Sequence, residues 1–490
     1  MSRGVIPLLL ALQSTSAEIV VDTSKQTPIS PYIYGVNYPN NWIYEWLDEW
    51  RDYGRPFTFA REGGNRFTAY NWETNASNAG HDYFHENDDY LGQSSEPAWT
   101  VSRFLRWVQD EGAAALVTVP TLGYVSADKK TDMYGDRDVI KTPDYLNVRF
   151  NKSFARNPKG IHFPPDTRDK AVYQDEFVSF VQKVKSKKSP VWFSLDNEPD
   201  FWYSTHPRIV GEKPTYERMI KNNIEYASMI KSLAPDTLVF GPAHYGWNGI
   251  RTFQGASDAN GRDFVEVYLK AMRDAEKREG HRILDVYDIH YYPETTGGGV
   301  RIIYNQKPDN DETRAARIQA PRSLWDPTFN EGSWINQNLG NQPIRLLPRV
   351  QDWFAKFYPG TKLAITEYEF GGRSTISGAL AQADALGVFG RYGLFAAAHW
   401  GVNHNEKPTY AAFQAWTDFD RKGSRFGDLG LAVTGETPAL NSVYASLDAK
   451  DKGRLTVLAI NKTKSSMPLA VRLKGFEGKS VRAFCISEGV

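Results

Sequence analysis

The chain has 490 residues, 41% of them hydrophobic, with 58 basic and 58 acidic side chains and a formal net charge of zero. This length holds one large domain and a small one, and the apolar fraction calls for a packed core rather than disorder. Balanced charge excludes binding driven by a global field, so neither nucleic acid nor an anionic membrane is an expected partner. Cys485 is the only cysteine, which excludes an intrachain disulfide and a cysteine-built metal site. Fourteen Trp and 26 Tyr exceed what a core needs and fit a groove that stacks flat ligands.

Residues 1–12 carry one positive charge and a short apolar run, and Thr15-Ser-Ala17 follows as a small-residue cleavage site. The segment 1–17 therefore reads as a short, atypical secretory signal, with a remodelled N-terminus as the equal alternative. No later stretch approaches the roughly 20 apolar residues of a membrane span. A strand is expected over 18–22, a second over 32–37, and a helix over 42–53 with Trp42, Trp46 and Trp50 on one stripe. The strand 57–61 leads into Glu62-Gly-Gly-Asn-Arg66. The loop 68–89 is long and rich in Asn, aromatics and acids, the kind of loop that carries function. Helix 97–111 and strand 115–119 follow, then a second long loop to about residue 169 and an amphipathic helix over 172–185.

The apolar run from Val191 ends in Asp196-Asn197-Glu198 and is stopped by Pro199, as at the C-terminal end of a buried strand. Helix 216–233, strand 237–241, helix 264–279 and strand 283–292 come next. A loop carrying Trp325 and Trp334 leads to helix 344–357, then to strand 362–368 with Glu367 near its end. Helix 377–392, strand 394–400 and a closing helix over 410–419 complete the series.

Eight apolar strands with intervening helices across 32–425 predict a (β/α)8 barrel with enlarged loops after its strands. An open doubly wound sheet is the alternative, but it wants a Gly-rich phosphate turn after its first strand, and Gly35-Val-Asn37 offers none. From about 426 the period changes to 2. Strands are expected over 442–446, 454–460, 468–472 and 481–485. They form a small β domain over 426–490, completed by the N-terminal segment 18–31.

In a barrel the C-terminal strand ends face one pocket. Glu198 ends the fourth strand and Glu367 the seventh; Arg61 ends the second and Trp400 the eighth. Asp288, His290 and Tyr292 share one face of the sixth through their i, i+2, i+4 spacing. A buried carboxylate is costly unless paired, and two that flank a glycosidic bond are the minimum apparatus for glycoside hydrolysis. Two other classes stay open: a non-catalytic β-glucan-binding protein on the same barrel, and a metal-dependent hydrolase using His290, Asp288 and Glu367. Against the latter, the first strands end without further His ligands.

Long motifs in matching order make the chain resemble glycoside hydrolase family 44, within the retaining glycosidase clan built on (β/α)8 barrels. They are Gly63-Gly-Asn-Arg66 with Tyr70-Asn-Trp-Glu73; Ser194-Leu-Asp-Asn-Glu-Pro199 with Ser204-Thr-His-Pro-Arg208; Gln319-Ala-Pro-Arg-Ser-Leu-Trp-Asp-Pro327; and Leu363-Ala-Ile-Thr-Glu-Tyr368 with Ile376-Ser-Gly378. The resemblance implies a secreted, endo-acting enzyme on β-1,4-linked polysaccharide: carboxymethylcellulose, xyloglucan, lichenan and often xylan. It implies Glu198 as acid/base, Glu367 as nucleophile, and a β-sandwich built from both chain ends, here about one strand short. It implies no cofactor for catalysis, with a structural calcium ion in some members, for which Asp166 and Asp169 are the candidates here; a helix N-terminal acidic pair is the equal alternative. Supporting roles are expected for Asn197 (the sugar 2-hydroxyl), for Arg61 and Tyr292 (keeping Glu367 ionised with a low pKa) and for His290. Trp72, Trp325, Trp334 and Trp400 are the stacking candidates. The protein is expected to act as a monomer.

Overall fold

The computed structural model describes residues 18–37, 57–131, 136–304, 307–402 and 406–485. The expected signal segment 1–17 and the expected helix 42–53 lie outside the described residues. Two compact units are present: residues 18–28 with 426–483, and 29–425 with the last described residues.

In the larger unit, eight parallel strands close into a barrel. They are β2 (Gly35–Asn37), β3 (Phe59–Glu62), β4 (Ala114–Val119), β5 (Val191–Leu195), β6 (Val239–His244), β7 (Val286–Tyr291), β8 (Lys362–Tyr368) and β9 (Ala396–His399), each paired with the next and β9 with β2. Every residue of β4 and β5 is buried, as strands covered on both faces require, and this is why they read as unbroken apolar runs. Inside the barrel, the Trp192 indole stacks on Phe240 at 5.6 Å and meets Tyr32 edge-on at 4.8 Å. Its bulk is accommodated because the facing lumen residues are Ala114, Ala364, Ala396 and Ala398. Long helices cover the outside: α1 (Trp99–Asp110), α2 (Gln174–Val184), α3 (Tyr216–Leu233), α4 (Phe264–Glu279), α5 (Leu346–Phe357), α6 (Ile376–Arg391) and α7 (Lys407–Thr417).

The first long loop is ordered by its asparagines. Asn71 donates to the Ser126 carbonyl, Asn75 to those of Gly92 and Ser94, and Asn87 to that of Arg149. Each amide ties the loop to a main-chain carbonyl of a neighbouring segment.

The smaller unit is a five-stranded sheet in the order β12-β11-β10-β1-β13, with β1 (Ile19–Pro28), β10 (Leu429–Thr434), β11 (Asn441–Leu447), β12 (Leu455–Asn461) and β13 (Val471–Lys474). The N-terminal strand is interior, antiparallel to β10 and parallel to β13. Val21, Leu431, Ala445 and Leu447 form its core. Two expectations are corrected here. Residues 481–485 form no strand: Val481 is 92% exposed and finds no buried face to pack on. Strand β10, which the period-2 pattern did not single out, supplies the partner for β1 instead.

Candidate active site

The fourth barrel strand delivers its acids through a strained turn. Asp196 (φ 67°) and Glu198 (φ 46°) both sit in the left-handed region, a conformation that costs non-glycine residues free energy and clusters at functional sites. The Asp196 carboxylate holds the turn by accepting the backbone N–H groups of Thr121 (2.5 Å), Leu122 (3.2 Å) and Asn197 (2.8 Å). Glu198 N–H donates to the Ala243 carbonyl at 2.9 Å. Pro199, with no N–H to offer a neighbouring strand, then ends the pairing.

Glu367 arrives differently. Ala364 points into the lumen, so strict alternation would turn Thr366 inward and Glu367 outward. A register shift intervenes: Ile289 pairs with Ile365, but His290 pairs with Glu367. The extra residue is Thr366, whose hydroxyl donates to the Asp288 carboxylate at 2.8 Å. A bulge of this kind re-aims a side chain, and here it brings Glu367 to the face that holds Glu198.

Arg61 ties the pocket together. Fully buried, it donates Nη1 to Asn37 Oδ1 (2.9 Å) and to Glu367 Oε1 (2.7 Å), and Nη2 to Asn197 Oδ1 (2.6 Å). The other Glu367 oxygen accepts the Tyr292 hydroxyl at 3.0 Å. His290 Nδ1 lies 2.7 Å from Glu198 Oε1 and 3.4 Å from Glu367 Oε2. A carboxylate oxygen of Glu198 and one of Glu367 are within 4.8 Å of each other. The glycines of the second strand's turn explain themselves. A Cβ on Gly63 would sit 2.3 Å from the Arg61 guanidinium carbon, and one on Gly64 (φ 97°) 3.1 Å from the Trp400 ring.

The two glutamates are electrostatically unequal. Burial raises Glu198 well above the usual carboxylate range, and the neighbouring charges of Glu367 and Asp200 raise it further. Burial also raises Glu367, but the Arg61 charge, its hydrogen bond and the Tyr292 hydroxyl all pull it back down. The expected low pKa of Glu367 is therefore corrected: desolvation outweighs its partners. The order survives, with Glu198 the better holder of a proton. His290 is pushed well below its ordinary value by burial, Arg61 and His244, so a neutral ring shares one proton with Glu198.

The four tryptophans separate. Trp400 lies half-buried over Gly64, and Trp334 opens a short helix with 36% of its surface exposed. Trp72 is fully buried, stacked on Phe177 at 5.9 Å with its Nε1 donating to the Tyr173 carbonyl. No face of it is open to a sugar, which corrects its expected role. Trp325 packs beside Tyr392, which caps the C-terminal end of α6. That end of a barrel helix is remote from the strand C-termini, so Trp325 is also removed from the stacking set.

Sequence reasoning missed Asn37, which locks Arg61 while its own amide donates to the Thr366 and Ala398 carbonyls at 2.6 and 3.1 Å. It ends the first barrel strand as Arg61 ends the second, and the same strand-end argument would have found it. It missed Asn65 and Asp82 as well: Asn197 donates to Asn65, and Asn65 to Asp82 at 2.8 Å.

Asp166 and Asp169 are both exposed; Asp166 pairs with Arg168 at 3.0 Å and Asp169 accepts the Ala171 N–H. Together with Glu176 they raise Glu73, whose pKa burial lifts to about 8. Glu73 is 3% exposed, and among the described residues no donor reaches its carboxylate. These carboxylates are near enough to act on Glu73 electrostatically, but among the described residues their oxygens do not gather into one ligand cluster, and Glu176 Oε1 already accepts from Asn157 and the His162 N–H at 2.9 Å.

The family model for glycoside hydrolase family 44 matches residues 76–295. The chain is 38% identical over 477 residues to a β-mannanase/endoglucanase A of Caldicellulosiruptor saccharolyticus, covering 91% of this chain and spanning about a third (34%) of that longer protein. A family 44 endoglucanase from Clostridium thermocellum superposes with a TM-score of 0.85 at 37% identity, covering 94% of this chain and 90% of that one. A family 44 xyloglucanase from Paenibacillus polymyxa, solved with xyloglucan, gives 0.85 at 36% identity over 95% and 90%. On both sequence and fold, the chain belongs to glycoside hydrolase family 44.

Proposed function

We propose that the chain is a secreted, endo-acting, retaining glycoside hydrolase that cuts β-1,4-glucan backbones: cellulose derivatives, xyloglucan and lichenan, with xylan as a further substrate. The observation that carries this reading is the spacing of the two buried glutamates. Oxygens within 4.8 Å suit a retaining pair, whose carboxyls are about 5–5.5 Å apart, better than an inverting pair, which holds a water across about 6.5–9.5 Å.

In the first step protonated Glu198 gives its proton to the leaving glycosidic oxygen while Glu367 attacks the anomeric carbon. In the second, Glu198 takes a proton from water, which hydrolyses the glycosyl-enzyme. Arg61 and Tyr292 hold Glu367 ionised against its burial, and His290 orients the Glu198 carboxyl. Asn197, its oxygen fixed by Arg61, presents its amide to the sugar 2-hydroxyl. Trp334 and Trp400 are the stacking surfaces left by the geometry. In this reading the protein acts as a monomer, and a polymeric substrate supports secretion. Among the described residues no helix is long and apolar enough to cross a membrane.

A structural calcium ion, if bound, would draw on Glu73 with Glu176, Asp166 and Asp169, which would have to close around it, and would neutralise carboxylates where the loop carrying Glu73 meets the start of α2. One observation favours a metal-assisted reaction instead: Glu198, His290 and Glu367 offer three ligand atoms within 4.8 Å. Turnover lost to EDTA with the fold intact would support that alternative.

The test is Glu367→Gln. Its near-ultraviolet circular dichroism should match wild type, while the wild-type loss of carboxymethylcellulose viscosity ahead of reducing-end release disappears. Near-normal turnover by this variant removes the nucleophile assignment.

A further inference from the structure

Three residues beyond Glu198, the chain places Phe201, half-buried, and the end of β6 brings Tyr245 onto it. The two rings are parallel within 14° with centroids 4.2 Å apart. Tyr203 meets the Phe201 ring edge-on at 5.5 Å, and the Lys213 ammonium lies over Tyr203 at 5.3 Å. Phe201 thus covers one face of Tyr245. The phenol is nonetheless 43% exposed, and among the described residues no other ring packs on it. Its backbone is held as firmly as its ring. Tyr245 N–H donates to the fully buried Asp200 carboxylate at 3.1 Å, whose other oxygen accepts Gln254 Nε2 at 3.1 Å. The preceding residue, His244, is locked to the Tyr287 hydroxyl at 2.8 Å. Gly249 must lack a side chain for this arrangement, because a Cβ there would stand 2.3 Å from Asp200 Oδ2.

A large, rigidly backed aromatic face left open to solvent is unlike an incidental surface tyrosine. Its position is informative. The charged groups that act on its hydroxyl are Glu198, most strongly, then Glu294, Arg301 and Asp200. The tyrosines that border Glu367 are others, Tyr292 and the exposed Tyr304, whose rings are 5.7 Å apart. The group beside Glu198 is the one that receives the proton, the sugar on the leaving side of the bond. Glu294 and Arg301, paired at 2.7 Å and both part-exposed, offer that sugar a hydrogen-bond acceptor and a donor.

We infer that the open face of Tyr245, backed by Phe201, is the stacking platform for the first leaving-group pyranose of the polysaccharide. This rests on the retaining reading, in which Glu198 is the acid. The pyranose ring presents its axial C–H groups to the electron-rich face of the phenol, and the Glu294–Arg301 pair takes its equatorial hydroxyls. The same surface receives the acceptor when a sugar, instead of water, attacks the glycosyl-enzyme, because that step is the reverse of the first.

The test compares two substrates on wild type and Tyr245→Ala. Cellohexaose needs a leaving-group sugar. An aryl β-cellotrioside with an activated phenol as leaving group does not. The ratio of kcat/KM for cellohexaose to that for the aryl substrate should fall about tenfold or more in Tyr245→Ala, the size of one lost aromatic anchor. Tyr245→Phe, which keeps the ring, should restore the ratio. In parallel, cellobiose should accelerate turnover of the trapped 2-deoxy-2-fluoro-cellotriosyl enzyme in wild type and not in Tyr245→Ala. Equal losses on both substrates, or an unchanged ratio, overturn the platform. If wild type cleaves neither substrate, the retaining glucanase reading itself falls.

Discussion

Removing the Arg61 charge should shift the enzyme's pH dependence in one direction only. Arg61 is fully buried and makes three charge-assisted contacts, one of them the 2.7 Å ion pair with Glu367. In Arg61→Met the Glu367 carboxylate keeps Tyr292 as its hydrogen-bond donor but loses its counter-charge. A hydrogen bond to a charged group contributes about 1.5–3 kcal/mol, and each 1.36 kcal/mol is one pKa unit. Glu367 should therefore rise by about one to two further units. The nucleophile works only when ionised, so the acid limb of kcat/KM moves to higher pH by that amount. At a pH below both limbs, activity drops about ten- to a hundredfold beyond any loss seen near pH 8. Arg61→Lys retains the charge but not the planar fork that also holds Asn37 and Asn197. It should lose activity at every pH while leaving the limb near its wild-type position. The assay is the pH profile of kcat/KM on an aryl cellotrioside, with circular dichroism to check the fold. A limb that stays put in Arg61→Met, or moves equally in both variants, would refute the reasoning.

Glu198 should set the alkaline limb. Its pKa lies well above 4.5, so activity is present below it and lost as pH rises through it; Glu198→Ala should flatten that limb on an activated aryl substrate, whose departure needs no proton. Trp72→Ala should cost about 3–5 kcal/mol of stability, as core truncations of this size do, whereas Trp334→Ala should leave the melting temperature unchanged and raise KM on polysaccharide. Calcium should raise the melting temperature, and more at pH 8 than at pH 6. Glu73 has a folded pKa of about 8, raised above its ordinary 4.5, so without metal its contribution is fully present below 4.5 and lost as pH rises through 8. Calcium takes the ionised form, so its stabilisation grows over that same window. Differential scanning calorimetry with calcium or EDTA at both pH values measures this, and a calcium effect that shrinks with pH would contradict it.

The barrel was legible because parallel strands buried on both faces must be apolar throughout, and all eight runs from 32 to 400 appear as paired strands. The pocket's membership was legible because strand C-termini converge, which put Arg61, Asn197, Glu198, His290, Tyr292 and Glu367 on one face. What alternation could not carry was the bulge at Thr366. Counted by period 2, Glu367 points away from the lumen, and only the register shift against β7 returns it. Nor does an aromatic residue announce which side of a loop it faces: Trp72, between Asn71 and Glu73, is core, and Trp334, between Ser333 and Ile335, is surface. The smaller unit was misread at its end because period-2 alternation over 481–485 describes a strand only if a neighbour offers an edge. Burial strength was equally invisible. The partners of Glu367 were foreseen, but not that desolvation would outweigh them.

The account turns on Glu367 acting as a nucleophile 4.8 Å or less from the acid, and one measurement addresses that directly. Proton NMR of the anomeric signals in the first minutes of cello-oligosaccharide hydrolysis reads the configuration of the product before mutarotation scrambles it. Double displacement predicts that the β-anomer accumulates first. An initial α-anomer would mean single displacement, with Glu367 a base rather than a nucleophile, and would contradict the mechanism built on this pocket.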